Sequence, residues 1–291
     1  MYSDIKKNKY KTGFIITLFI IFIALIMYFM CYAFGYGEYA IYFAVFFSII
    51  SSWSAYYYSD KIILSLNSAK PATPEQYKKL NNILESLVIS SGLEYTPRLY
   101  VVEDSSPNAF ATGRNPKNAV VCVTTGLLDK LDYYELEGVI AHELGHIKNY
   151  DILLSAVVTV MVGMVVMLSD IFTRTIFYRD NDSDNNKANG IIMILGAICL
   201  ILSPIFSKMI QLAISRNREY LADATAVQFT RNPDGLISAL SKLNNDPNEL
   251  KSANKATSNM YIVNPFKSKK KDLFSTHPSI ESRIEAIKNL K

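Results

Sequence analysis

His142, Glu143 and His146 stand in the stretch VIAHELGHIKNYD, and their spacing is that of a metal site. On a helix, residues four apart share a face, so the two imidazoles point the same way and the glutamate sits beside the first. Neutral imidazole is a good zinc ligand. Two such ligands leave a tetrahedral ion half coordinated, and the adjacent carboxylate can take the proton of an attacking water, the HExxH arrangement. Shuffling this composition, with its three histidines, gives the pattern on the order of once per thousand chains. The motif alone therefore leaves a plainer reading open: an amphipathic helix with two histidines on its polar face.

A second constellation follows in RNREYLADA, where Glu219 and Asp223 are again four apart on one helical face. Glu219 can complete the ligand set. Asp223 can accept a hydrogen bond from the free nitrogen of a ligating histidine, fixing its tautomer. Taken alone, the pair reads equally as a solvated charged face beside Arg216 and Arg218. The remaining histidine, His277, precedes a proline at a helix start. It can stabilise the oxyanion formed when water attacks a peptide carbonyl, with Arg283 as helper, or it can simply cap the helix.

The elements that must bring these residues together include apolar stretches. Four segments, 12–37, 39–59, 152–169 and 188–207, lack charge for most of the roughly 20 residues a bilayer crossing needs, apart from Glu38 between the first two. The last two are more polar, with Ser155, Thr159, Ser203 and Pro204, and are expected to face other helices. Lysines at 6, 7, 9 and 11 keep the amino-terminal tail cytoplasmic. The first hairpin then returns the chain to the cytoplasm near Asp60, and the second does so again near Lys208. His146 lies just before the second hairpin and Glu219 just after it, so both motifs face one compartment; a single crossing would have separated them. The expected divisions are a transmembrane hairpin (1–59), a first part of a cytoplasmic domain with an edge strand and the HExxH helix (60–151), a second hairpin (152–207), and a second part carrying Glu219 (208–291).

Within the domain, TPEQYKKLNNILESLVISSGL predicts an amphipathic helix capped by Thr73, opened by Pro74 and closed by Gly92. RLYVVED and AVVCVTTGLL predict strands, with NAFATG between them as an edge strand or strand-like loop. DYYELEGVIAHELGHI predicts a helix capped by Asp132 with Glu135 three residues on. PDGLISALSKL and PSIESRIEAIKNL predict short helices, and 252–271 a mobile basic loop that includes KSKKK. Half of the 291 residues are hydrophobic, which suits a chain shared between membrane spans and a folded domain. A net charge of +4 gives no case for nucleic acid, and three cysteines without a CxxC pair suggest neither a disulfide frame nor a cysteine metal site.

Four segments in order, NAFATGRNPKNAVVCVTTGLL, HELGHIKNYDIL, SRNREYLADATA and LFSTHPSIESRI, resemble the HtpX-type membrane zinc endopeptidases, bacterial heat-shock proteases related to the CAAX prenyl proteases. The resemblance spans nearly the whole chain. It implies a multi-pass membrane protein: four transmembrane helices in two hairpins plus an α+β zincin, gluzincin-like protease domain on the cytoplasmic face of the cell membrane. It implies one Zn2+ per chain held by His142, His146 and Glu219, with Glu143 catalytic. The implied work is hydrolysis of membrane or misfolded proteins in quality control. The strand matching Asn108, Ala109, Phe110, Ala111 and Thr112 would line the cleft and pair with substrate backbone. Two rivals stand beside this: a zinc-dependent scaffold that binds misfolded membrane proteins without cutting them, which would not need Glu143, and a prenyl-protein processing protease. Nothing in the sequence fixes an oligomeric state.

Overall fold

Charge-free apolar runs favour long helices, and the chain opens with two of them. The computed structural model describes residues 2–33, 39–178, 216–253, 256–266 and 278–290. Helix α1 (Tyr2–Ala33) contains a 20-residue apolar segment, Tyr10–Phe29, long enough to cross a membrane. Helix α2 (Ala40–Tyr57) packs against α1 and contributes the shorter apolar stretch Ile41–Tyr57. Among the described residues, α1 alone meets the length and apolarity of a membrane span. The expected fourth span, 188–207, lies outside the described residues.

Helix α3 (Ser59–Leu66) leads into the domain, followed by β1 (Lys70–Pro71), α4 (Lys78–Ser91), β2 (Arg98–Val102), β3 (Ala109–Thr112), β4 (Val120–Thr124) and α5 (Thr125–Lys130). The strands form one sheet in the order β1-β2-β4-β3, with β2 and β4 parallel and the outer strands antiparallel. Strand side chains alternate between faces. Val101, Ala109, Ala111, Val121 and Val123 join the main core, whereas Val102, Phe110, Val120 and Cys122 face α3 and the start of α7. Strand β3 is one of the two edge strands, the first of the two readings that NAFATG allows.

Helix α6 (Tyr133–Lys148) begins with the predicted capping box: Asp132 Oδ1 accepts from Glu135 N at 3.0 Å and Glu135 Oε2 accepts from Asp132 N at 2.9 Å. Helices α7 (Asp151–Tyr178), α8 (Arg216–Thr230), α9 (Pro233–Asn245) and α10 (Ile280–Lys288) complete the described elements. The close approach of α6 and α8 depends on small residues. A Cβ on Gly145 would lie 3.2 Å from the Ala222 carbonyl oxygen.

Two expectations need correction. Helix α4 starts at Lys78, not after Thr73. Thr73 gives its carbonyl to Tyr77 N in a turn (3.0 Å) rather than its side chain to a cap, while Gly92 does end the helix, with φ +66°. The stretch predicted as a mobile loop contains a packed strap. Tyr261 and Ile262 are buried, and Ile262 N donates to Ala109 O at 2.9 Å, so the strap pairs with the outer edge of β3. The basic run 267–271 lies outside the described residues.

Candidate metal centre

His142 and His146 stand one helical turn apart on α6, and Glu219 comes from the first turn of α8. Their donor atoms converge within 4.8 Å. The two Nε2 atoms are 3.2 Å apart, His146 Nε2 is 3.5 Å from Glu219 Oε1, and His142 Nε2 is 3.8 Å from Glu219 Oε2. Ligands about 2.0–2.1 Å from a tetrahedral zinc lie about 3.3 Å from each other. The donors are therefore placed to hold such an ion with little movement, and two imidazoles with one carboxylate suit its chemistry. These three residues are the ones the sequence singles out.

Each imidazole is held from behind. His142 Nδ1 donates to Asp223 Oδ1 at 2.9 Å, leaving Nε2 free to ligate. Asp223 in turn accepts two hydrogen bonds from Arg283, Nε to Oδ2 at 2.9 Å and Nη2 to Oδ1 at 2.7 Å. Arg283 is fully buried and also donates to Ile262 O at 3.0 Å. Its charge is satisfied inside the protein rather than at the surface. His146 Nδ1 donates to Asp151 Oδ2 at 3.2 Å, a partner that sequence spacing does not reveal. The helix that delivers Arg283 is capped by Ser279, whose Oγ accepts from Ser282 N at 3.2 Å. His277 lies outside the described residues.

Burial and charge set the protonation of these groups. Burial, reinforced by the Arg283 charge, drives His142 down to about 4 despite Asp223. Burial also opposes the charged form of His146, but the hydrogen bond it donates to Asp151 and the charges of Glu219 and Asp151 outweigh it and raise it to about 9. Glu143 is buried beside the cluster. Burial pushes its carboxyl up to about 7, with Glu219 adding and His146, Arg283 and the Ala111 amide opposing.

The cluster opens on a cavity of about 30 Å³ lined by Ala111, Glu143, Ser155, Met260, Tyr261 and Ile262, among others. That holds water, not a peptide. The predicted pairing strand, Asn108 to Thr112, is buried throughout. Its outer edge is already shared: Asn108 Nδ2 donates to Val263 O at 2.9 Å, and Ala109 O is taken by Ile262. Of the strand's residues, Ala111 alone lines the cavity.

Comparison with known proteins agrees with this geometry. The model of peptidase family M48 matches residues 74–291. A protein named protease HtpX homolog from Dictyoglomus thermophilum is 45% identical over 293 residues, covering 99% of this chain and 94% of that one. Another of that name, from Listeria monocytogenes serovar 1/2a, is 44% identical over 309 residues and matches both chains in full. The crystal structure of S. mikatae Ste24p superposes with a TM-score of 0.51 at 17% identity, covering 99% of this chain and 67% of that one, which shows a shared fold. The family model covers most of the chain, including the region of the converging cluster, and the relatives match along nearly their full length: the chain belongs to peptidase family M48 and is a metalloendopeptidase.

Proposed function

We propose that the chain is a zinc endopeptidase that cuts membrane or misfolded proteins at the cytoplasmic face of the cell membrane, as part of protein quality control. The observation that carries the reading is the convergence of His142, His146 and Glu219 with Glu143 buried beside them. In this reading the three residues ligate one zinc per chain. The bound ion supplies Lewis acidity, polarising the scissile carbonyl and acidifying the attacking water. Glu143 takes the proton of that water and returns it to the departing amine, which cannot leave as an anion. Asp223 holds His142 in the tautomer that presents Nε2. His277 stabilises the oxyanion, a role resting on its place in the sequence. The substrate pairs with the β3 edge at Ala111, the strand residue that lines the cavity; pairing along the rest of Asn108–Thr112 requires the Tyr261–Val263 strap to move aside.

The four-span arrangement, with both termini and the site cytoplasmic and domain limits at 59, 151 and 207, belongs to the same proposal. It is supported by the apolar length of α1 and by α7 starting directly at the site. The test is Glu143→Gln in the full chain purified in detergent. Zinc content is expected to stay at one per chain while hydrolysis of an unfolded protein falls by about 10²–10⁴-fold. Undiminished hydrolysis would refute the assigned chemistry. Full cellular function in the inactive variant would favour the non-cutting scaffold instead.

A further inference from the structure

We propose that Asp151 is the positioning residue for His146, tying the second imidazole of the metal centre to the first residue of α7. The inference rests on the metal reading above. In an unbroken helix, a residue five positions on lies about 140° round the axis, facing away. Here the helix breaks. Helix α6 ends at Lys148, and Tyr150 adopts φ +60°, a left-handed conformation rare for a bulky side chain. Helix α7 starts at once, with Asp151 as its first residue. The break swings the Asp151 carboxylate back onto His146, so that its Oδ2 accepts from Nδ1 at 3.2 Å.

The other oxygen, Oδ1, lies 3.6 Å from Arg218 Nη1. Arg218 immediately precedes Glu219 on α8. One buried carboxylate, 4% exposed, therefore touches the second imidazole and the neighbour of the carboxylate ligand. The plan repeats that behind His142, where Asp223 accepts from the ring and is held by Arg283. An arginine-backed carboxylate stands behind each imidazole. Such partners fix ring orientation and raise ligand basicity. The position adds a consequence: any tilt of α7 moves the carboxylate that aims His146.

The rival is that Asp151 merely favours the start of α7, as an acidic residue does at any helix amino terminus. Asp151→Ser separates the two, because serine still suits a helix start but cannot reach the ring. Asp151→Asn keeps an acceptor oxygen. The measurement is the zinc dissociation constant of the full chain in detergent, by competition with a chelator, alongside the melting temperature of the metal-free protein. Asp151→Ser is expected to bind zinc about 10–100-fold more weakly with the metal-free melting temperature little changed. Asp151→Asn is expected to recover part of the loss. Affinity within twofold of wild type in Asp151→Ser would overturn the proposal. If that variant does not fold, Arg218→Gln is read instead: a smaller weakening supports the clamp and an unchanged constant overturns it. Wild-type protein that holds no zinc would sink the metal reading itself, which a tight wild type with an equally tight variant would not.

Discussion

At the residue scale, the centre depends on charges that cancel only in the fold. Arg283 is fully buried, and its guanidinium neutralises Asp223 while approaching Glu219 at 3.6 Å. Removing one member of a buried ion pair leaves the other uncompensated, at a cost of about 3–5 kcal/mol. Arg283→Leu is therefore expected to lower the stability of the metal-free protein by about that amount, measured by urea unfolding, whereas the exposed Arg216→Leu should change it by about 0.5 kcal/mol or less. Equal effects would mean that Asp223 finds another cation. Glu219 and Asp223 were legible in the sequence because they share a helical face. Arg283 reads from the sequence only as a helper of His277; its place behind Asp223 was not legible, because it depends on α10 packing against α8 some sixty residues away. Asp151 was hidden for a different reason: the turn at Tyr150 inverts the rule that spacing implies facing.

At the element scale, helix α6 carries the histidines and must sit close to both α8 and α9. Gly138 is where α9 touches it: an added Cβ would lie 2.8 Å from Leu236 N and 2.9 Å from Leu236 Cα, backbone that cannot yield. Gly138→Ala is expected to cost about 1–3 kcal/mol, seen as a lower melting temperature. Gly145→Ala, whose nearest contacts are 3.2–3.4 Å, should cost less. The reverse order would mean that α9 yields more easily than α8. The amino end of α6 gives a pH-dependent test. Burial disfavours the Glu135 carboxylate, but bonds from Lys242, Ser238 and the Asp132 amide more than offset this and hold its pKa below the ordinary 4.5. A depressed carboxyl stabilises the fold fully above its unfolded value and loses that contribution as pH falls through its folded value. Wild type should therefore exceed Glu135→Gln in stability at pH 7, with the gap closing below about pH 4.5; a gap constant with pH would remove the charge from the explanation. The capping box was legible because it is local chemistry. The strap at Tyr261–Val263 was not, because a polar, aperiodic stretch gives no sign that a neighbouring strand edge will accept it.

At the scale of the whole molecule, the question is what covers the apolar helices. The first turns of α7 are covered by protein: Leu153, Leu154, Val157, Val158 and Met161 pack on Phe19 and Ile23 of α1. Helix α2 packs one face on α1 and, among the described residues, leaves the other open, with Phe46, Ile49 and Trp53 all more than half exposed. Exposed apolar surface on this scale marks a contact with a membrane or with another protein. The end of α2 nearest the domain gathers aromatic rings and cations. Trp53 stacks near Tyr57 (4.9 Å between ring centroids) and Tyr58 (5.7 Å), Arg114 lies over the Tyr57 ring at 4.8 Å, and Lys61 lies over Tyr58 at 5.2 Å. Aromatic rings and cations gather where acyl chains meet headgroups. Trp53 is the only tryptophan in the chain, so its fluorescence reports this place without background. In reconstituted vesicles it is expected to be quenched by brominated phospholipids, more by bromines near the glycerol than by bromines near the chain ends. Absence of quenching by either would mean that protein rather than lipid covers α2. Stronger quenching by the deep bromines would move Trp53 toward the midplane and carry Arg114 and Lys61 with it, at the cost of bringing two cations toward the acyl chains. Shallow quenching would instead set the domain, through Arg114 and Lys61, directly against the headgroups, with the HExxH helix one short turn from the helix that leads away from it.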